Sequence, residues 1–171
     1  MLYKRYLITK HDPNFVDEFG TYTKDEWNSI DDIGKIYDGI VFTPEMYVET
    51  ENRYADVLRF LMNEKGVSRF IVMGLEKCNC NNSNFVFYTA LQSELKKNIC
   101  EGMSLSKDMA IEVLRLCLRG DIFCHVYSPD NHFVFETEGD FYFSVTCEEL
   151  KKNEISTIKQ LGLKEVFECK M

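Results

Sequence analysis

The sequence predicts an α+β fold, in which a C-terminal antiparallel β-meander packs against several helices of a single domain. Its patterns indicate about four or five short helices and five or six strands. The long strand runs lie near the C-terminal end instead of alternating with helices, which favours α+β over a regular βαβ repeat. The 171 residues suit one core, and no repeat or Pro-, Gly- or Ser-rich linker divides residues 1–171.

The N-terminal part of the chain carries three predicted elements. Residues 2–9 alternate between apolar and polar side chains, which predicts a first strand. Thr23 and Glu26 have the spacing of a capping box, which predicts a short helix over residues 24–33. A short strand is expected at residues 40–42.

The longest predicted helix begins after Thr43, a favourable N-cap residue, with Pro44 at its first position. It is expected to end near Lys65, with Gly66 as a left-handed cap. Apolar residues at three- and four-residue steps form its predicted buried face: Tyr47, Tyr54, Val57, Leu58 and Leu61. The apolar residues 68–75 then predict a strand.

The second half of the chain is less uniform. Residues 85–98 fit either a strand or a helix, because their first half is aromatic and their second half is rich in helix formers. Ser106 caps a clearer helix over residues 107–119. The C-terminal tail predicts one or two short helices within 147–161 and a last strand near 163–168.

The meander occupies residues 121–145, and its pattern also predicts a register. Pairing Tyr127 with His132 places alternate apolar side chains on one face. Pairing Phe135 with Phe141 adds the third strand, and requires a three-residue turn with Gly139 at positive φ. The expected core-facing side chains are Ile122, Cys124, Val126, Phe133, Phe135, Phe141 and Phe143. Otherwise, Phe141 and Phe143 would form an aromatic patch for a partner.

The charge of the chain is concentrated in residues 11–56, called here the acidic segment. It contains twelve Asp and Glu residues but three Lys and Arg residues, whereas the remainder contains sixteen acids and seventeen bases. A surface of one sign attracts an oppositely charged partner and repels polyanions. A basic protein is therefore the expected partner, and nucleic acid is not expected.

Residues 17–32 (DEFGTYTKDEWNSIDD) combine six carboxylates with three aromatic rings, a pattern typical of protein-binding surfaces. Alternatively, Trp27 and Ile30 are the buried face of a short helix and the acids are its solvated side. The candidate partner-binding residues are Asp17, Glu18, Tyr22, Asp25, Glu26, Trp27, Asp31 and Asp32.

Two other sites are weaker candidates. His125, His132 and Glu136 are expected on the outer face of the meander, where they could perform acid–base chemistry or bind a metal in a small enzyme. If the interface lies on the meander instead, His132 and Glu136 are expected to bind the partner with Tyr142. Cys78 and Cys80 are too closely spaced for a zinc pair, so no metal or cofactor is expected.

The seven cysteines do not form a spaced disulfide framework, which favours reduced thiols. Four of them are expected to be small core residues: Cys100, Cys117, Cys124 and Cys147. The sequence has no apolar run long enough for a membrane helix and no secretory signal. A soluble cytoplasmic protein is expected, without a membrane partner.

Two stretches resemble the small immunity proteins that bacteria pair with toxins of contact-dependent growth inhibition. They are TPEMYVETENRYADVLRFLMNEKGV (43–67) and LRGDIFCHVYSPDNHFVFETEGDFYFSV (118–145). The resemblance implies one-to-one binding of a cationic toxin domain, often an RNase or DNase, whose active site is covered by phosphate-mimicking acids. A scaffold or regulatory domain with an unrelated basic partner would need the same acidic surface, so it remains an alternative.

Overall fold

The computed structural model describes residues 3–19, 21–78, 86–139 and 141–169, and within these ranges the chain forms four α-helices and nine β-strands. The helices are α1 (Pro44–Glu64), α2 (Ala90–Asn98), α3 (Lys107–Leu118) and α4 (Lys152–Gln160). The strands are β1 (Tyr3–Thr9), β2 (Ile36–Tyr37), β3 (Ile40–Val41), β4 (Phe70–Lys77), β5 (Ser104–Leu105), β6 (Ile122–Ser128), β7 (Phe133–Thr137), β8 (Tyr142–Glu148) and β9 (Glu165–Cys169).

Seven of the described strands form one sheet in the order β5-β4-β6-β7-β8-β1-β9, and every neighbouring pair is antiparallel. Strands β6, β7 and β8 are the predicted meander and form the centre of the sheet. The N-terminal β1 lies between β8 and the C-terminal β9. The predicted α+β class with a C-terminal meander is therefore confirmed.

The helices cover one face of this sheet. On that face, Ile8 and Phe143 are fully buried in one apolar cluster with Leu58 of α1 and Leu114 of α3. The opposite face leaves Met73 about half exposed. Among the described residues, none of the helices combines the length and apolar character needed to cross a lipid bilayer.

The helices begin where local capping chemistry predicts. Thr43 and Ser106 each accept a hydrogen bond from the backbone N–H three residues later, which starts α1 and α3. For residues 85–98 the sequence allowed either a strand or a helix, and the structure forms the helix α2 there. Residue 85 itself lies outside the described ranges. A capping box of Thr89 and Gln92 opens α2.

The predicted helix over residues 24–33 is wrong. The stretch is irregular up to a single 3-10 turn at Ile30–Asp32. Thr23 Oγ1 donates to the Phe15 carbonyl at 2.8 Å, and the Glu26 carboxylate contacts basic side chains outside the stretch. Both members of the expected capping box thus have tertiary partners, which outweigh the local helical preference.

The first meander turn has the predicted faces but a different register. Tyr127 pairs with Val134 instead of His132, a shift of two residues. Because side chains alternate along a strand, an even shift keeps the same side chains in the core. His132 belongs to the turn, where it adopts a positive φ of 47°.

The second meander turn is longer than predicted. Phe135 pairs with Val145 instead of Phe141, a shift of four residues. Gly139 has the expected positive φ, at 74°. Phe141 and Phe143 are both buried, so these rings belong to the core and do not form a partner-binding patch.

Buried ion pairs join α1 to α3. Glu51 is fully buried, and its carboxylate accepts from Arg119 Nε at 2.6 Å, Arg119 Nη2 at 2.7 Å and Arg115 Nη1 at 2.9 Å. Gln92 Oε1 accepts from Arg119 Nη1 at 3.1 Å, which attaches α2 to the same guanidinium. Burial opposes the charge of Arg119, but the pairing with Glu51 outweighs it and raises the pKa of the guanidinium.

Replacing Glu51 by Gln should lower the free energy of unfolding by about 3 kcal/mol or more, because the buried Arg119 loses its counter-charge and the partly buried Arg115 loses one of its two acidic partners. The matched control is Glu49→Gln on the same helix, where an exposed pair with Arg53 contributes less than about 1 kcal/mol. Urea denaturation followed by Trp27 fluorescence measures both. Equal effects of the two substitutions would show that the buried pair is not a major contributor to stability.

Candidate protein-interaction site

Between β1 and α1 the acidic segment forms turns instead of long regular elements. It contains a 3-10 turn at Pro13–Phe15, a bridge between Val16 and Tyr22, the 3-10 turn at 30–32 and the β2–β3 hairpin. The eight candidate partner-binding residues lie on this irregular stretch. The structure divides them into side chains with internal partners and side chains that face solvent.

Glu26 has internal partners. Its Oε1 accepts from Lys10 Nζ at 3.2 Å and from the Tyr22 hydroxyl at 3.0 Å, and it lies 2.8 Å from His11 Nδ1. Burial alone would raise the pKa of Glu26, but hydrogen bonding to His11 and the charge of Lys10 lower it to about 2. A carboxylate neutralised in this way contributes little to long-range attraction. Glu26 and Tyr22 therefore chiefly stabilise the conformation of the acidic segment.

Trp27 packs against the core, as the alternative interpretation of this residue predicts. Its ring stacks on Phe42 at a centroid distance of 4.1 Å and meets the Phe141 ring edge-on at 5.2 Å. Lys10 Nζ lies 4.2 Å from the Trp27 ring centroid, within cation–π range. Ile30 is also buried, but it lies on a 3-10 turn instead of a helix.

Asp32 and Asp17 shape the backbone around them. The Asp32 carboxylate is buried, accepts from the N–H groups of residues 28 and 29, and pairs with Lys35 Nζ at 2.6 Å. Burial raises the pKa of Asp32, but these hydrogen bonds outweigh it, so the pKa is lowered overall. Asp17 is exposed, and its Oδ1 accepts from the N–H groups of residues 19 and 21.

Three of the predicted acids face solvent with their charge uncompensated. Glu18, Asp25 and Asp31 are exposed, and no ion pair within the described part of the chain involves them. At the start of the 3-10 turn, the backbone N–H of Asp31 donates to Ser29 Oγ at 3.1 Å. These three carboxylates are available to a basic partner.

The β2–β3 hairpin exposes apolar side chains that the sequence analysis did not identify as a site. Ile36, Ile40 and Val41 are 66%, 60% and 50% exposed. Asp38 and Gly39 both have positive φ, 51° and 78°, which forms a two-residue hairpin turn. The sequence does carry a signal for this hairpin, which is the Asp-Gly pair between apolar residues. Its apolar side chains stay exposed because strands of two residues cannot bury both faces of a hairpin.

Exposed apolar side chains are concentrated in the acidic segment. Of the eleven large hydrophobic side chains that are exposed in the described ranges, six belong to this segment: Phe15, Phe19, Ile36, Ile40, Val41 and Met46. The segment contains about a quarter of the chain, so it holds about twice its share. Exposed apolar residues beside uncompensated charges are typical of protein interfaces.

The alternative centre on the meander is only partly assembled. His125 Nδ1 contacts the Glu136 carboxylate, which also accepts from Arg5 Nη2 at 2.6 Å. His132 is not part of this group, because it lies in the turn with its ring 5.0 Å from that of Tyr3. One imidazole and one carboxylate can exchange a proton, but the predicted second imidazole is missing from the group.

The three residues of the alternative meander interface also have separate neighbours. The Tyr142 ring lies 5.3 Å from that of His11, at the end of the sheet where the acidic segment begins. Glu136 pairs with Arg5, and His132 packs beside Tyr3. They do not form one cluster.

In the described part of the chain, no group of three or more His, Cys, Asp or Glu side chains is arranged to hold a metal ion. Cys78 is partly buried, and Cys80 lies outside the described residues. Cys100 is exposed, so its predicted place in the core is wrong. The buried thiols are those of Cys117, Cys124 and Cys147.

A cleft of about 870 Å³ opens between α1, α2 and α3. Glu51, Arg115 and Arg119 lie on its floor and bond to one another, so these charges hold the helices together. Phe87 lies on its rim and is almost fully exposed.

Comparisons of the chain with protein-family models, with curated proteins and with solved structures find no match.

Replacing Trp27 by Ala should lower the free energy of unfolding by about 2 to 3 kcal/mol, since the ring packs on Phe42 and Phe141. Phe19→Ala is the matched control, because Phe19 is 84% exposed and should change stability by less than about 0.5 kcal/mol. Urea denaturation followed by circular dichroism measures both. A stable Trp27→Ala protein would instead support a role for this ring in partner binding alone.

Replacing Glu26 by Gln should lower the free energy of unfolding at neutral pH by roughly 2 kcal/mol. The folded-state pKa of about 2 lies below the ordinary value of 4.5, so this contribution is fully present above about pH 4.5. It is lost as the pH falls towards 2, where the wild type and the variant should converge. Urea denaturation at several pH values tests this, with the exposed Glu18→Gln as control. A difference that stays constant with pH would contradict the assignment.

Proposed function

We propose that this protein is a stoichiometric inhibitor that binds a basic partner protein through the exposed face of its acidic segment. The observation that carries the proposal is the coincidence of uncompensated carboxylates and exposed apolar side chains on one stretch of chain. Burial of the apolar side chains would supply affinity. The carboxylates would speed association and reject acidic competitors.

The docking surface is formed in this proposal by Glu18, Phe19, Asp25, Asp31, Ile36, Ile40 and Val41. Glu26, Trp27 and Asp32 support it from inside. Glu26 pairs with Lys10 just after β1, Trp27 packs on the buried Phe42, and Asp32 stabilises its own turn by pairing with Lys35. Five of the eight predicted contact residues thus become positioning residues in this proposal: these three, Tyr22, which donates to Glu26, and Asp17, which accepts from backbone N–H groups.

A cationic toxin domain is the partner that this surface fits best. RNase and DNase active sites are basic because they bind phosphates, so acids presented on a protein surface can occupy them. The resemblance to immunity proteins favours the same partner. We therefore propose a one-to-one complex in the cytoplasm that covers the active site of a nuclease.

Affinity capture from a lysate of the organism of origin tests the proposal. The tagged chain should recover a basic protein in a one-to-one ratio, and the purified partner should lose its nuclease activity when one equivalent of the chain is added. Recovery of a basic protein without nuclease activity would favour a regulatory or scaffold role instead. Failure to recover any protein at that ratio would contradict the proposal.

Matched variants then test the surface. Reversing Asp25 and Asp31 to Lys should slow association with the recovered partner at low salt by about tenfold, and the difference should shrink as salt rises. Glu94→Lys on α2 is the control, since Glu94 is exposed outside the segment. Ile36→Ser with Val41→Ser should speed dissociation, whereas Met73→Ser on the open sheet face should not. Unchanged kinetics in both segment variants would place the interface elsewhere.

A further inference from the structure

Two buried thiols lie side by side where α3 turns into the sheet. Cys117 belongs to the last turn of α3 and Cys124 to β6, and their Sγ atoms are 3.8 Å apart. Both are in the apolar cluster. Their proximity is independent of the proposed docking surface.

The fold holds the two sulfurs in this position. Gly120 has a positive φ of 71°, which reverses the chain between α3 and β6. The bidentate pair of Arg119 with Glu51 anchors the same turn to α1. The two thiols therefore face each other because of the tertiary structure, not because of a flexible loop.

A cavity lies beside the pair of thiols. It has a volume of about 160 Å³, and Cys117 lies on its wall together with Phe123 and Phe141. Asn28 and Asp31 of the acidic segment also line the cavity. Since one water molecule occupies about 30 Å³ in the liquid, the cavity can admit a molecule as small as a peroxide.

We propose that Cys117 and Cys124 are an oxidation site, which a peroxide converts into an intramolecular disulfide. The Cys117 thiolate attacks one peroxide oxygen, and the O–O bond breaks to give a sulfenic acid and water. Cys124 then attacks the Cys117 sulfur and displaces the hydroxyl as a second water. Two thiols lose two electrons and two protons in total, and hydrogen peroxide accepts them.

Formation of the disulfide requires a small movement of the two sulfurs, and the surroundings of Cys117 make its oxidation slow. The sulfurs must approach by about 1.8 Å to reach bonding distance. The hydrogen bond shared with Cys124, together with burial, raises the pKa of the Cys117 thiol. The thiolate is therefore scarce at neutral pH, and the rate should rise about tenfold for each pH unit below that pKa.

Peptide mapping of the full chain tests the site. Exposed thiols are first blocked with iodoacetamide in the folded protein, hydrogen peroxide is added, and the chain is digested with trypsin without reduction. Cleavage after Arg119 separates the two cysteines, so only a disulfide can join their peptides. The linked pair should appear, should form faster at higher pH, and should disappear on reduction.

Variants identify the partner sulfur, because the tryptic peptide that carries Cys124 also carries Cys147. The linkage should persist in Cys147→Ser and be lost in Cys124→Ser. Digestion of the wild type with chymotrypsin separates Cys124 from Cys147 and gives the same answer without a variant. The proposal is overturned if Cys117 remains a thiol or becomes a sulfinic acid while Cys124 stays reduced.

Discussion

The pairing of Glu51 with Arg119 and Arg115 is the constraint on which the helical layer depends. A fully buried carboxylate is tolerated only with its counter-charges in place, so α1 and α3 must lie side by side. Gln92 brings α2 to the same guanidinium. The network extends to the start of β6, where Lys96 pairs with the buried Asp121 at 2.6 Å. The helices are thereby held in one arrangement over the sheet.

In the acidic segment, too, a carboxylate that is buried has a counter-charge beside it. Carboxylates that approach the core are paired there with lysines, as Glu26 is with Lys10 and as Asp32 is with Lys35. The carboxylates that remain uncompensated are exposed, and they belong to the same stretch of chain as the apolar hairpin. The number of acids in the segment therefore overstates the charge that a partner would meet. The exposed isoleucines add a hydrophobic attraction, which a count of charges does not reveal.

Elements that depend on neighbouring residues were predictable. Thr43 and Ser106 cap their helices with their own hydroxyls, so the starts of α1 and α3 follow from the sequence. The capping-box pattern at Thr23 and Glu26 failed because both side chains bond to residues outside the predicted helix. The meander faces were predictable from alternation, but its register was not, because the first turn is displaced by one residue along the chain and the second is longer than predicted.

The sequence by itself determined the α+β class, the core faces of the strands and helices, and the concentration of acid in one quarter of the chain. These properties depend on periodicity, capping and composition, which are local. Only the tertiary structure decided which acids are neutralised, which apolar side chains stay exposed, and that Cys117 meets Cys124. Each of these outcomes depends on where the folded chain places its other elements, and no local pattern encodes that placement.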